Sequence, residues 1–410
     1  MNDTPRANRL HIGLFGKRNA GKSSLINALT HQDTALVSDI PGTTTDPVFK
    51  AMEIHGLGPC VFIDTAGFDD EGELGELRIR QTQRALEKTD IALMVCTDEH
   101  LDEELHWQRL LKEKNVPVIW ILNKCDLLSD AKQTMRRIEQ QCGQVPLLVS
   151  TLTGKGLDDI LRSLRNKLPD ETMAQGIVGR LVEENDTVML VMPQDIQAPK
   201  GRLILPQVQT IRELLDRKCL VMSCTTDKID AMLAALARPP KLIITDSQVF
   251  RTVYDKKPAE SRLTSFSVLF AQYKGDIDYY MEGANAIAQL TPESRVLIAE
   301  ACTHAPLTED IGRVKIPNML RKRIGEGLQI DIVSGTDFPE DLAPYDLIIH
   351  CGACMFNRKY VLNRIDRARA QQVPMTNYGV TIAYLAGILD KINGSSDISS
   401  DSFLKRKTAE

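Results

Sequence analysis

Between Leu10 and about Leu168, short apolar runs recur at intervals: LHIGLF at 10–15, CVFID at 60–64, IALMV at 91–95, VIWIL at 118–122 and PLLV at 146–149. A polar or amphipathic stretch follows each of them. Apolar runs of strand length alternating with helical patterns predict a doubly wound, mostly parallel sheet. VFKAMEI at 48–54 lies too close to CVFID for a helical crossover, so one antiparallel edge strand is expected. After the polar stretch PDETMAQG at 169–176, the alternation resumes through DTVMLVMP, the helical PQVQTIRELLDR, CLVM, an alanine-rich helix near Ala231, and KLIIT. A third block carries RVLIAE, the basic helix IPNMLRKRI, LQIDIV, DLIIH and two late helical patterns. The expected fold class is α/β throughout. A P-loop domain at 1–172 is followed by smaller α/β domains at 173–260 and 261–395, and by a Ser/Asp-rich disordered tail at 396–410.

A length of 410 residues suits two or three domains. The net charge of −5 argues against a general nucleic-acid coat. The longest apolar run, Ala231 to Ala237, is far below the roughly 20 residues of a membrane-spanning helix. The opening MNDTPRANRL has no apolar signal region, and the nine cysteines are an odd number in a long chain, so a reducing cytoplasm is expected.

GKRNAGKSS at 16–24 follows the first strand and fits G-x-x-x-x-G-K-[ST]. In that pattern the backbone around Gly16, Asn19, Ala20 and Gly21 curls so that successive N–H groups face phosphate. Lys22 reaches the outer phosphates, the Ser23 hydroxyl ligates Mg2+, and Ser24 continues the helix N-terminus. DTAG at 64–67 ends the strand CVFID, placing Asp64 for the magnesium shell and the Gly67 N–H for a γ-phosphate. NKCD at 123–126 ends VIWIL, and the Asp126 carboxylate matches the two N–H donors of a guanine edge. Asn123 and Lys124 flank it, so GTP is expected over ATP.

These residues, with PGTTTDP at 41–47 and the Ser150–Thr151 pair, resemble the TrmE/Era/Der group of GTPases over residues 10–168. By that resemblance Thr44 closes on Mg2+, and Ser150 with Thr151 borders the base. Phe68 stands where many GTPases carry a water-orienting glutamine. The resemblance instead implies a potassium ion held by Asn19, so that Lys22, Gly67 and Asn19 form the catalytic set.

Six cysteines, at 60, 96, 125, 142, 219 and 224, lie in or beside apolar strands and read as small buried hydrophobes. The other three do not. Cys302 and His304 follow the strand RVLIAE, and His350, Cys351 and Cys354 follow DLIIH, so both half-sites are expected at strand ends on one sheet edge. Three thiolates and an imidazole suit zinc as well as an iron-sulfur cluster. Three cysteines alone fit a cluster with one exchangeable position.

The GTPase motifs followed by C-T-H and HCGAC resemble the HydF family of FeFe-hydrogenase maturation GTPases along essentially the whole chain, and Ala198 to Asp216 is similar to that family's dimerisation domain. The resemblance implies a homodimer with a 4Fe-4S cluster on Cys302, Cys351 and Cys354. His304, His350 or Asp195 is implied as fourth ligand or outer-shell donor. It also implies a diiron precursor received from radical SAM maturation enzymes and delivered to the FeFe-hydrogenase apoenzyme. The alternative is a TrmE/Der-like GTPase with a structural zinc module in RNA or ribosome-related assembly. Against it, there is no basic stripe with interleaved aromatics, and RKRIG at 321–325 is one short run.

Overall fold

A computed structural model describes residues 9–30, 48–54, 58–65, 81–167, 176–193, 203–300, 310–335, 337–353 and 356–389. The chain divides into two compact units, 1–172 and 173–410.

The first unit carries a six-stranded sheet of order β2-β3-β1-β4-β5-β6. Its strands are β1 (Leu10–Phe15), β2 (Val48–Ile54), β3 (Gly58–Asp64), β4 (Ile91–Cys96), β5 (Val118–Leu122) and β6 (Leu147–Leu148). All neighbours run parallel except β2, which pairs antiparallel with β3 at one edge, as the short spacing predicts. Alternate side chains of each strand feed two cores. Ile12, Leu14, Ile91, Leu93, Ile119 and Ile121 pack with α1 (Lys22–Thr30) and α4 (Leu157–Lys167), while Phe15, Met94, Trp120 and Leu122 pack with α2 (Asp102–Glu113) and α3 (Ala131–Cys142). Helices therefore cover both faces, the requirement for a parallel sheet.

The second unit holds two four-stranded sheets, each wholly parallel: β10-β9-β7-β8 and β12-β11-β13-β14. The first is built from β7 (Thr187–Val191), β8 (Leu220–Cys224), β9 (Leu242–Thr245) and β10 (Arg262–Ser265). The second uses β11 (Arg295–Glu300), β12 (Gln329–Ser334), β13 (Leu347–His350) and β14 (Met375–Asn377). Their helices are α5 (Leu205–Asp216), α6 (Ile229–Ala234), α7 (Phe250–Lys256), α8 (Phe266–Lys274), α9 (Ile277–Asn285), α10 (Ile316–Ile324), α11 (Arg358–Ala370) and α12 (Tyr378–Leu385).

The expected boundary after residue 260 falls inside the first of these sheets. Leu263 and Ser265 of β10 pair with Ile243 and Thr245 of β9, and α8 packs Phe266, Leu269 and Phe270 on the same sheet. The two sheets also share one apolar cluster. Met189, Ile243 and Leu263 of the first join Leu297, Ile348 and Met375 of the second in a continuous core.

No helix among the described residues is long and apolar enough to cross a membrane. Cys60, Cys96, Cys125, Cys142 and Cys219 are buried thiols and Cys224 is half-buried, matching the reading as small hydrophobes. In α9, a Cβ on Gly283 would stand 2.0 Å from the Met375 carbonyl oxygen of β14. Because the obstacle is backbone, Gly283→Ala should destabilise the second unit by about 3 kcal/mol, at the upper end of overpacking costs. A fall in its urea midpoint measures this.

Candidate functional site

All the candidate residues described in the first unit lie at the carboxyl ends of its parallel strands, in the strand's last residue, the turn that follows or the first turn of α1, where α/β sheets place ligands. The loop after β1 is shaped by close backbone approaches. A Cβ on Gly16 (φ +150°) would lie 2.2 Å from the Val95 carbonyl, and one on Gly21 (φ +87°) would lie 2.4 Å from Asn123 Nδ2. Asn19 adopts the left-handed conformation at φ +58°. Asn123 is fully buried and its Nδ2 donates to the Ala20 carbonyl at 2.9 Å, so it braces the glycine loop from the end of β5. Lys22 Nζ donates to the carbonyls of Gly16 (2.8 Å) and Lys17 (2.9 Å).

Ser23 and Asp64 meet: the Ser23 hydroxyl donates to Asp64 Oδ2 at 2.5 Å. Asp64 is almost wholly buried and its Oδ1 finds no hydrogen-bond partner among the described residues. Burial raises its carboxyl pKa; the Ser23 hydroxyl and the charges of Lys22 and Lys50 oppose the rise. A hydroxyl and an orphaned carboxylate oxygen in one buried spot are hard oxygen donors that suit Mg2+. At the other end, Asp126 is exposed after Lys124 (φ +56°). Ser150 is buried, its Oγ accepting from Thr153 N at 3.2 Å and its N–H donating to the Lys155 carbonyl at 3.0 Å, which fixes the turn that carries Thr151. Thr44 and Gly67 lie outside the described residues, as does Phe68.

In the second unit, β11 and β13 are parallel neighbours with Ala299 opposite His350, and Cys351 N donates to the Ala299 carbonyl at 3.0 Å. The end of β11 and Cys351 therefore lie side by side at one edge of the sheet. Cys351 is half-buried, and its Sγ accepts from Ala353 N at 3.4 Å. Ala353 is buried in the left-handed region at φ +47°, so the chain turns back over the sulfur. Cys302, His304, Cys354 and Asp195 lie outside the described residues. Among the described residues no three ligating side chains converge. A sulfur that already accepts a backbone N–H at a sheet edge fits a metal-bound thiolate.

Both ring nitrogens of His350 are engaged within the second unit. It is fully buried, with Nδ1 2.7 Å from the Cys351 carbonyl and Nε2 2.9 Å from Arg364 Nη1. Arg364 can only donate, so Nε2 accepts and Nδ1–H donates to the carbonyl. Burial, reinforced by the Arg364 charge, pushes the imidazole pKa down to about 3. With both ring nitrogens engaged, His350 braces the Cys351 backbone.

The Hydrogen maturase F dimerization domain matches residues 177–275 and the Hydrogen maturase F tetramerization domain matches 278–393. Residues 11–124 match the 50S ribosome-binding GTPase family. The chain belongs to the hydrogen maturase F family. This membership agrees with the resemblance seen in the motifs, and the two family domains meet near residue 276, beyond the β10 strand.

The chain is also 37% identical over 180 residues to the tRNA modification GTPase MnmE of Xylella fastidiosa, covering 42% of this chain and 38% of that one. It is 37% identical over 159 residues to GTPase Der of Wolinella succinogenes, covering 36% of this chain and 34% of that one. The chain thus spans little more than a third of the length of these curated relatives. A crystal structure of Aquifex aeolicus Era aligns at TM-score 0.35 and 22% identity, covering 52% of this chain and 92% of that one.

Glu104 escaped the motif analysis. In DEELHWQRLLKE it reads as one more polar residue of an amphipathic helix, yet it is 1% exposed on α2 and faces Lys17 Nζ of the glycine loop at 3.5 Å. Lys17 also donates to the His100 carbonyl, so a buried carboxylate and a turn hold the loop's first lysine. Burial raises the Glu104 carboxyl pKa above the usual 4.5, with Lys17 opposing. A carboxyl raised on folding stabilises most in acid and loses that contribution as pH rises through its folded value. The stability of the wild type relative to Glu104→Gln should therefore decrease as pH climbs from about 4.5 toward neutrality. Paired urea titrations across that range measure it.

Proposed function

We propose that the protein is a GTP-hydrolysing scaffold that holds a 4Fe-4S cluster and carries the diiron precursor of FeFe-hydrogenase to its apoenzyme. The observation that carries the GTPase half is the buried Ser23–Asp64 pair beneath the Gly16–Ser23 loop, with a carboxylate oxygen that has no partner among the described residues. Hydrolysis needs positioning and charge neutralisation around the phosphates more than covalent chemistry. Lys22 binds the outer phosphates and leaves the loop carbonyls to do so; Gly21, Ala20 and Ser24 present backbone around the phosphates. Ser23 and Asp64, with Thr44, hold Mg2+. Asp126 reads the guanine edge beside Lys124, while Ser150 and Thr151 border the base. Asn123 holds the loop in shape from behind. Gly67 reaches the γ-phosphate and Asn19 holds K+, which stands in for the missing glutamine and arginine.

The cluster half rests on family membership and on the strand pairing that sets the end of β11, two residues before Cys302 in the sequence, beside Cys351. Cys302, Cys351 and Cys354 would hold the cluster, which supplies an iron with an open coordination position. His350 orients Cys351 from behind, and His304 and Asp195 remain for the fourth position. The assembly we infer is a homodimer in the cytoplasm that meets the radical SAM maturation enzymes and the hydrogenase apoenzyme. Val208 and Leu215 on α5 and Leu220 on the edge strand β8 are exposed apolar residues in the domain matched to dimerisation.

Separable sites make separable losses. Lys22→Ala should lower GTP turnover by about 100-fold or more, on the scale of removing a preorganised charge-stabilising donor, while reconstituted iron per chain stays at the wild-type value. Cys351→Ala should do the reverse. Metal analysis and low-temperature EPR of the dithionite-reduced chain, read beside a phosphate-release assay, distinguish the two. Zinc in place of iron, or loss of both properties in either variant, overturns the reading.

If Asn19 supplies the potassium site, GTP hydrolysis runs faster in potassium chloride than in sodium chloride at equal ionic strength. Asn19→Ala should remove the difference between the salts. Equal wild-type rates in the two salts would discard the potassium assignment and leave the GTPase.

A further inference from the structure

The loop that leaves β13 is gripped by two buried cations from opposite elements. Lys274, the last residue of α8, is 2% exposed, and its Nζ donates to the carbonyls of Ala353 at 3.0 Å and Phe356 at 2.9 Å. The grip is reciprocal, since Arg358 Nε of α11 donates to the Tyr273 carbonyl at the end of α8, at 3.0 Å. Arg364, 3% exposed on α11, is the second cation. It donates to His350 Nε2 at 2.9 Å, to the Gly335 carbonyl at 2.6 Å and to the Tyr360 hydroxyl at 2.8 Å, and lies over the rings of Tyr360 and Phe338 at 4.6 and 4.7 Å.

Every hydrogen-bond acceptor given to Arg364 among the described residues is neutral, and its Nε is buried without a partner there. Removing a cation from water costs several kcal/mol unless an opposite charge or strong acceptors replace the lost hydration. Carbonyls, an imidazole, a phenol and aromatic faces supply part of that replacement.

The loop between the cations is itself constrained. Ala353 has a side chain but sits at φ +47°, a conformation that persists only where its surroundings over-determine it. Both of its peptide groups are engaged, the N–H by Cys351 Sγ and the carbonyl by Lys274. From the far side, His350 passes the Arg364 contact on to the Cys351 carbonyl. Lys274 and Arg364 thus hold both ends of the turn around one thiol.

We propose that Lys274 and Arg364 are positioning residues of the cysteine site, fixing the backbone at 350–353 and at Phe356 and holding two positive charges against a group of net negative charge bound there. The inference deepens the cluster reading and rests on it, because a 4Fe-4S cluster on three thiolates is such a group. Two consequences follow from the charge. The anionic cluster binds where cations already lie, and its reduction, which adds one more negative charge, is favoured by them. The reduction potential is therefore higher than the same turn would give without the cations.

The test uses the full chain, reconstituted anaerobically with iron and sulfide, with iron per chain and the midpoint potential from an EPR-monitored redox titration as readouts. The urea unfolding transition of the second unit, followed by circular dichroism, serves as the folding control. Lys274→Gln keeps a donor for the two carbonyls and removes the charge. It should bind iron at the wild-type ratio while its midpoint moves to a more negative potential. Lys274→Arg keeps the charge and should stay at the wild-type potential. Arg364→Gln is the independent second variant should a Lys274 change unfold the domain, and its midpoint should move in the same direction as that of Lys274→Gln. Wild-type potentials in the charge-removing variants overturn the proposal. A wild-type chain that takes up no iron is a different failure, since it removes the cluster reading on which the proposal stands.

Discussion

Parallel strand pairing is the constraint on which the rest depends. Parallel neighbours must be joined by crossovers, so every strand's carboxyl end emerges on one edge, and the turns that follow are brought together without any contact between the strands' own side chains. In the first unit this gathers the Gly16 loop, Asp64, Asn123 and Ser150 from β1, β3, β5 and β6. In the second it sets the end of β11 beside Cys351. Both groups of candidate residues are positioned by the same rule.

Within that frame the functional turns are held by buried polar groups that share a physical problem. Among the described residues, Asp64 keeps a carboxylate oxygen without a partner, Glu104 is a carboxylate with Lys17 near it, and Arg364 is a guanidinium among neutral acceptors. Each would be destabilising in an inert core, where apolar side chains of similar volume serve as well or better. Their position at loop ends makes sense if the missing interaction is supplied from outside the chain: a divalent cation at Asp64, an anionic group near Arg364. Glu104 differs in kind, for its lysine is already present and belongs to the glycine loop.

The strands and the glycine loop were legible because their signals are local. An apolar run and a Gly-x4-Gly-Lys-Ser spacing carry their meaning within a few residues, and the antiparallel edge followed from a connection too short to cross over. What stayed hidden was set by contacts distant in sequence. The three-residue strand β14, Met-Thr-Asn, has no apolar run, and only its place beside β13 makes it a strand. The break expected at residue 260 fails for a similar reason, as β10 and α8 look like the start of a new block but bury their faces against β9 and its neighbours. Glu104, Lys274 and Arg364 read as solvated charges in amphipathic helices, and nothing in their immediate sequence marks them as buried. His350 was legible as a candidate donor, but the use of its two nitrogens depended on an arginine fourteen residues away.

The α8 helix shows why the two sheets of the second unit act as one body. Its first turn is capped by Ser265, the last residue of β10, whose Oγ accepts from Val268 N at 3.3 Å. Nine residues later, about 13 Å along an α-helix, Lys274 reaches the turn behind Cys351. Between these ends Val268 and Ala271 lie in the core shared by both sheets, while Phe266, Leu269 and Phe270 lie in the core of the first sheet alone. A rigid rod anchored in one sheet and bonded to the cysteine turn of the other leaves no flexible linker between them. A shift of the first sheet therefore moves the carbonyls that Lys274 holds or breaks buried hydrogen bonds to a charged donor, at about 1.5–3 kcal/mol each. The second course is the costlier, so the fold favours moving the turn together with the sheet.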